Sequence, residues 1–422
     1  MAKIKQIIAR EIIDARGNPT VEARVILSDG STAVASSPSG ISRSTYEAFE
    51  LRDNDLRRFK GLGVLKAVQI IHEKIAPALI GIEASDQQRI DRTMIELDGT
   101  QTKSKLGANA TLPVSMAVAK AAAKSSVLPL FLYLRNFIKR ENQELKIPSP
   151  IFNIINGGLH TENTLDIQEF HVIPATFKTF SDSLQLGVTV YQTTKDVLRR
   201  NNLSTLLGDE GGFSPSVDTN EDALSLIVQA VEESNLRLGY DIFLGIDAAA
   251  NSFYTDQHYK IKDKSMSLTS SELISWYEEL VKKYHILYLE DPLSEDDWDG
   301  WETVFPKISQ YALIVGDDLT ATNPFRLQMA LYKKSINSIV IKPNQIGTVI
   351  EALAVVEIAR HSGLKIVVSH RSGETNDDFI ADFAVATSAD YVKFGAPARG
   401  ERVAKYNRLL QIDQQLQMIQ RQ

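Results

Sequence analysis

There is no cysteine in this chain of 422 residues. Disulfide frameworks, thiolate zinc sites and cysteine nucleophiles are therefore excluded. Long apolar runs are lacking as well: none approaches the ~20 residues needed to span a bilayer. The opening stretch MAKIKQIIAREIIDARGN has neither an apolar signal core nor a small-residue cleavage site, so the expected location is the cytoplasm. Excess positive charge is also missing. With 46 Lys and Arg against 53 Asp and Glu, the formal net charge is -7, which argues against nucleic acid or an anionic membrane surface as main partner. No internal repeat and no low-complexity segment occurs. What is present, 43% hydrophobic and 23% charged residues, is the make-up of a globular protein long enough for two or more domains and a large core.

The first 40 residues read as a β-meander. Ile4 to Ile13 is mostly apolar, Ala15-Arg16-Gly17-Asn18-Pro19 is a turn, and Val21 to Leu27 alternates. Asp29-Gly30 is a hairpin signal before Thr32 to Ser36, which runs into Pro38-Ser39-Gly40. From about residue 61 to 137 the apolar spacing is helical, ending in an Ala-rich stretch around Val114 to Ala123. The charged segment Lys139 to Glu144, followed by Pro148 and Pro150, is the predicted linker. It separates a small N-terminal α+β domain over 1–138 from a C-terminal α/β domain over 146–422 that starts at Ile151 to Ile155.

Six short apolar runs in that second part each end on a functional side chain. They are IFLGID to Asp247, ILYLE to Glu290, LIVGD to Asp317, SIVIK to Lys342, IVVSHR to His370 and Arg371, and YVK to Lys393. Their Ile, Val, Leu and Tyr content fits buried parallel strands, and helix-length segments fill the gaps. That alternation predicts a closed α/β barrel with its chemistry at the carboxyl ends of the strands. Neighbouring barrel strands lie roughly 5 Å apart, so Asp247, Glu290 and Asp317 at successive strand ends would repel one another unless a cation held them. An all-oxygen set favours a hard divalent ion, Mg²⁺ or Mn²⁺ over zinc. Single acids at strand ends more often cap a helix or face water; three in succession do not fit that reading. The acidic neighbours Asp291, Asp318 and Asp209 are expected to point away, because period-two alternation lets only one of each pair face the mouth.

Lys342 and Lys393 stand in otherwise apolar strand ends, which is costly unless they face a charged or wet cavity. Beside a metal and a second lysine, the pKa of such a lysine would fall, and it becomes a candidate general base. The competing readings are a structural pairing with the acids, or a Schiff-base lysine, which leaves the acids unexplained. Two glycine-rich loops follow apolar segments: Asn156-Gly157-Gly158-Leu159-His160 before Glu169, and Gly208-Asp209-Glu210-Gly211-Gly212. Ser369-His370-Arg371-Ser372-Gly373-Glu374 joins a guanidinium, hydroxyls and backbone N–H groups at a strand-to-helix junction, a combination suited to clamping phosphate. His72, His171, His258, His285 and His361 are read as surface or core residues. A divalent cation, a lysine base, glutamate acids and an anion clamp together describe removal of a proton beside a carboxylate.

These residues resemble the enolase family, the phosphopyruvate hydratases, along essentially the whole chain. The likeness runs from Arg16-Gly17-Asn18-Pro19-Thr20-Val21-Glu22 to Ala404-Lys405-Tyr406-Asn407, through NIINGG at 153–158, DIQEF at 166–170, GDEGGF at 208–213, NQIGT at 344–348 and SHRSGET at 369–375. It implies a small N-terminal α+β domain and a modified TIM-type barrel whose first strands depart from regular order. It also implies Mg²⁺-dependent, reversible loss of water from 2-phosphoglycerate to give phosphoenolpyruvate, and a homodimer or a larger ring of dimers. Matched motif by motif, Lys342 is then the base, and Glu210 the acid that protonates the leaving hydroxide, with Glu169 alongside. Asp247, Glu290 and Asp317 ligate a first Mg²⁺, and Ser42 joins a second when substrate binds. Arg371 and Ser372 contact phosphate, Lys393 the substrate carboxylate, and His160, Gln168 and His370 complete the pocket.

The chain also departs from the family pattern. Where the mobile loop usually reads Ser-Gly-Ala-Ser-Thr-Gly, it has Ser39-Gly40-Ile41-Ser42-Arg43-Ser44. Asn251-Ser252 replace Ser-Glu, Pro113 replaces Gly and Gln192 replaces His. A cation at position 43 and a stiffer residue at position 44 bear on loop closure. The alternatives that stay open are a barrel enzyme for another carboxylate substrate, and a catalytically altered paralogue that serves as a binding protein.

Overall fold

The computed structural model describes residues 2–40, 44–138, 145–161 and 165–420; the predicted linker Lys139 to Glu144 lies outside them. Strands β1 (Ile4–Ile13), β2 (Pro19–Leu27) and β3 (Thr32–Ser36) form an antiparallel sheet in that order, as the meander reading expects. The β1–β2 turn is made by the Asp14 carboxylate, which accepts the N–H groups of Arg16 and Asn18 at 2.9 Å each. Val21, Ala23, Val25 and Leu27 are the buried alternate positions of β2. A helical stretch over 65–79 follows, and then helices α1 (Gln87–Asp98), α2 (Ala108–Ser125) and α3 (Leu130–Arg135). Nearly all of α2 is buried. Its alanines let it sit between the sheet and the barrel, where Thr111 donates to the Gly347 carbonyl at 2.7 Å and Ser115 Oγ accepts Val349 N–H at 3.1 Å. Pro113 falls inside α2.

Eight strands then close a barrel in chain order. They are β4 (Ser149–Asn156), β5 (Glu169–Pro174), β6 (Ile242–Asp247), β7 (Ile286–Glu290), β8 (Leu313–Gly316), β9 (Ser338–Ile341), β10 (Lys365–Ser369) and β11 (Tyr391–Lys393), which pairs back onto β4. All neighbours are parallel except that β5 runs antiparallel to both β4 and β6. The described residues of the β4–β5 link hold only a short 3₁₀ turn, Gly158–His160, and an antiparallel pair needs no crossover helix. Helices α4 (Phe180–Arg200) and α5 (Asn220–Glu233) lie between β5 and β6. Between later strands come α6 (Ser270–Tyr284), α7 (Trp298–Ile308), α8 (Pro324–Tyr332), α9 (Val349–His361) and α10 (Phe379–Ala386), and α11 (Gly400–Gln420) follows β11. Thr219 with Asp222, and Thr269 with Glu272, form capping boxes that start α5 and α6.

The barrel interior is a small separate core of Ile151, Ile173, Tyr288, Val315, Val340, Val367 and Tyr391. These residues fix the parity of each strand. Two positions further toward the mouth, the inward side chain is Asn153, Glu290, Asp317, Lys342, Ser369 or Lys393. On the reversed β5 the same step runs backwards, from Ile173 through His171 to Glu169. Among the described residues, no helix is long and apolar enough to cross a membrane.

Candidate active site

Register brings the charged residues to one level at the mouth. Glu169 pairs with Asp247, Asp247 with Glu290, and Lys393 with Ser369. Lys393 Nζ lies 2.8 Å from Glu290, 3.0 Å from Asp247 and 3.1 Å from Glu169. With only 1% of its surface exposed, its charge is stable only because three carboxylates surround it. Burial opposes the ammonium, but Asp247, Glu169 and Glu290 outweigh it and hold the Lys393 pKa well above the usual lysine range.

Asp247, Glu290 and Asp317 are all buried, as expected of a cluster, but they are not a set by themselves. Asp247 and Glu290 share a group with Asp291, and Asp317 shares one with Asp291 and Asp318; the ligand atoms of each group lie within 4.8 Å of one another. This corrects the expectation that Asp291 and Asp318 point away. Alternation stops where β7 ends, and Asp291 turns inward at a φ of +40°. Its carboxylate accepts the N–H of Asp317 at 3.0 Å and of Asp318 at 2.7 Å. Asp318 in turn accepts Asn251 Nδ2 at 3.2 Å, and Asn251 Oδ1 accepts Glu295 N–H at 2.8 Å, so this departure from the family pattern supports the cluster from behind. Asp209, by contrast, does point outward, to Arg16 Nε at 3.1 Å.

Protein cations do not balance these acids. Burial and neighbouring carboxylates push Asp247, Glu290 and Asp291 above the usual carboxylate range, and Asp318 up to about 8. A buried, oxygen-only group with surplus negative charge fits a hard divalent cation. Asp317 is the exception. Lys342 is ion-paired to it and, against burial, keeps it below the usual range. The same pair acts on Lys342, whose expected fall in pKa belongs to a site that holds a metal. Burial, Arg371 and Lys393 disfavour its charge, yet Asp317 prevails and its pKa is raised.

On the opposite wall, Glu210 lies 3.7 Å from His160 Nδ1 and 3.3 Å from His370 Nε2, and accepts Asn153 Nδ2 at 3.2 Å. Burial and Glu169 raise its pKa, but the two imidazoles, where they carry charge, bring it down to about 2. His370 itself is shifted down, first by burial and also by Arg402, so it is neutral near pH 7 and its share of that pull is absent. Glu169 receives His171 Nε2 at 2.9 Å, and burial is overcome by Lys393 to hold it well below the usual range. His171 is thus a fully buried partner of a site residue rather than a plain core histidine. The signal was available, since Glu169 and His171 are two apart on one strand. Tyr288, which donates to Glu290, has the same spacing.

Arg371 and Ser372 are buried at the mouth. Arg371 Nη1 and Nη2 meet the Glu47 carboxylate at 2.9 and 3.1 Å. Ser39 exchanges backbone hydrogen bonds with Gly373 at 2.9 and 2.8 Å and donates from Oγ to Asp14 at 2.7 Å. This docks the N-terminal loop beside the guanidinium, and a Cβ at Gly40 would collide with Arg371. Glu47 carried no sequence signal, because its partner is more than 300 residues away. Ser42 lies outside the described residues, as do Ile41 and Arg43. Pro113 and Gln192 sit in α2 and on the exposed side of α4, and Ser44 is buried with its Oγ accepting Tyr46 N–H at 3.2 Å.

His160, Gln168, Glu169, Glu210, Asp247, Lys342, His370, Arg371, Ser372 and Lys393 line one narrow cavity. Its walls are almost wholly polar, which suits a small polar ligand. His160 Nδ1 and Gln168 Oε1 are buried there without a hydrogen-bond partner among the described residues, as befits groups waiting for a ligand. Fold and site together define a two-part α/β-barrel protein with a carboxylate and lysine centre at the carboxyl edge of its strands. The comparison with known families narrows this. Residues 4–134 match the enolase N-terminal domain, and residues 144–420 match the enolase C-terminal TIM barrel domain. The chain belongs to the enolase family, whose chemistry is of the hydro-lyase type.

Proposed function

We propose that the chain interconverts 2-phosphoglycerate with phosphoenolpyruvate and water, using Mg²⁺. The observation that carries this reading is the single cavity that joins Lys342, Glu210, Lys393 and Arg371 beside the surplus-acid group. Asp247, Glu290 and Asp317 would hold the first Mg²⁺, Asp291 orients the backbone that presents Asp317, and Ser42 is the proposed addition for a second ion. When bound, Mg²⁺ supplies positive charge where the substrate carboxylate becomes dianionic. Lys342 takes the proton from the carbon beside that carboxylate. It acts as a base once Asp317 is engaged as a ligand, because burial, Arg371 and Lys393 then all favour its neutral form. Glu210 gives a proton to the departing hydroxide, with Glu169 and its partner His171 alongside. Lys393 receives the substrate carboxylate, and Arg371 and Ser372 the phosphate. His160, Gln168 and His370 close the pocket. The same proposal makes the protein a glycolytic and gluconeogenic enzyme of the cytoplasm, working as a homodimer or larger homo-oligomer on a small phosphorylated carboxylate.

The test is turnover. Purified protein with Mg²⁺ and 2-phosphoglycerate should develop the ultraviolet absorbance of phosphoenolpyruvate, and a chelator should stop it. A signal no greater than that of Lys342→Ala ends the proposal.

A further inference from the structure

Arg402, near the start of α11, is fully buried, and its guanidinium gathers the backbone around Glu210 and His370. Nη1 donates to the Arg371 carbonyl at 2.5 Å and meets His370 Nδ1 at 2.7 Å. Nη2 donates to the carbonyls of Ser372 at 2.6 Å and Asp209 at 3.2 Å. Gly395 packs where these groups meet, with no space for a side chain. A Cβ there would stand 2.8 Å from His370 Cε1, 2.9 Å from the Glu210 carbonyl and 3.1 Å from Arg402 Cδ.

A guanidinium has donors only. His370 Nδ1 therefore accepts, and the one proton of the neutral ring is on Nε2. Nε2 faces Glu210 Oε2 at 3.3 Å without a formed hydrogen bond, and that oxygen accepts Asn153 Nδ2 at 3.2 Å. With Asn153 donating to Oε2 and Nε2–H facing it, a proton on Glu210 belongs on Oε1, which His160 Nδ1 faces at 3.7 Å. We propose that Arg402 is a positioning residue: it fixes His370 as the Nε2–H tautomer, so that the Glu210 proton is carried on Oε1 and does not pass to the imidazole. The other tautomer would present a bare Nε2 to Glu210 and draw the proton away from substrate. The charge of Arg402 against Nδ1 also keeps the ring from becoming an imidazolium. The charged groups facing the ring are Glu210, Glu169 and Arg402, and Lys393 accepts His370 N–H through its carbonyl at 2.9 Å. The inference rests on the proposed role of Glu210 as acid.

The first test needs no variant of Arg402. Long-range proton–nitrogen NMR of the intact protein, with His370→Asn to identify the signal, should show the Nε2–H tautomer from about pH 6 to about pH 8. An Nδ1–H ring or an imidazolium at neutral pH overturns the proposal. The second test is kinetic. Arg402→Met should lower kcat about ten- to a hundredfold, leave KM within about threefold, and move the acidic limb of the kcat profile to higher pH. Arg402→Gln, which keeps a donor for Nδ1, should recover much of the loss. Parallel loss of kcat and KM with an unmoved profile is the mark of a merely structural residue and also overturns it. If Arg402→Met does not fold, Arg402→Gln and the wild-type spectrum decide. Absence of turnover in the wild type defeats the functional proposal, whereas the tautomer is read independently of turnover.

Discussion

Asp318→Asn isolates the electrostatic surplus on which the cation reading depends. Burial, then Asp317, push Asp318 from the ordinary 3.8 up to about 8, with Lys342 only partly opposing. A carboxyl whose folded pKa is raised binds more protons folded than unfolded. Stability therefore falls as pH rises across the window between those two values and is flat above it. At about 1.4 kcal/mol per pKa unit, the full shift corresponds to roughly 6 kcal/mol. Asp291, Asp317 and Asp318 interact and share their protons, so one substitution recovers about 2–3 kcal/mol of this. Asn is nearly isosteric, and its amide oxygen still accepts Asn251 Nδ2. The assay is chemical denaturation with a chelator present at two pH values. Near pH 8 Asp318→Asn should be more stable than wild type by that amount, and near pH 5 by under about 1 kcal/mol. Saturating Mg²⁺ should narrow the gap at the higher pH, because it stabilises the folded form that binds it. An equal gap at both pH values, or none, refutes the reasoning: the acids would then be relieved by something other than protons or a cation.

Two further outcomes follow from the geometry. Lys393→Met strips three buried carboxylates of their shared ammonium, so in chelator it should lose about 3–5 kcal/mol in the same denaturation assay; an unmoved midpoint counts against Lys393 as counter-charge. Gly40→Ala places a methyl against the Arg371 guanidinium, which Glu47 pins from the other side, so KM for the phosphorylated substrate should rise about tenfold with a smaller change in kcat; unchanged KM separates Arg371 from phosphate binding.

The barrel was legible because its signal is local. Six short apolar runs, each ending in a charge, carry parity and burial within a few residues, and β6 to β11 form where those runs predict. The meander at the N-terminus was equally plain, since the turn at Asp14 to Pro19 and the pair Asp29-Gly30 are local devices. The reversal of β5 was not legible from period or composition. A strand reads the same in either direction, and only the family resemblance implied irregular first strands. The inward turn of Asp291 was missed for a related reason: alternation holds only while the strand lasts, and a positive φ just past its end redirects the side chain. Glu47 and Arg402 were invisible because their contacts join segments far apart in the chain. The raised pKa of Lys342 in its pairing with Asp317 was not legible either, while the expected fall applies to a site that holds a metal. The sequence shows that lysine and acid are neighbours, whereas their pairing decides which charge prevails.

That pairing explains how one pocket can take both a cation and an anion. Lys342 and Lys393 already hold Asp317, Asp247, Glu290 and Glu169. An anionic substrate gains those ammonium groups only as the carboxylates gain another counter-charge; otherwise it adds like charge to a buried acid group, at a cost of several kcal/mol. Under the proposed function, the lysines are therefore stand-ins in the resting site. They offset part of the acid charge while the protein is alone, leaving the surplus at Asp291 and Asp318, and are released toward substrate when the acids become ligands. The reversed β5 is what makes this exchange possible. It brings Glu169 to the mouth from the start of its strand, opposite Asp247, so Lys393 keeps one carboxylate partner outside the proposed ligand set and need not lose every ion pair at once.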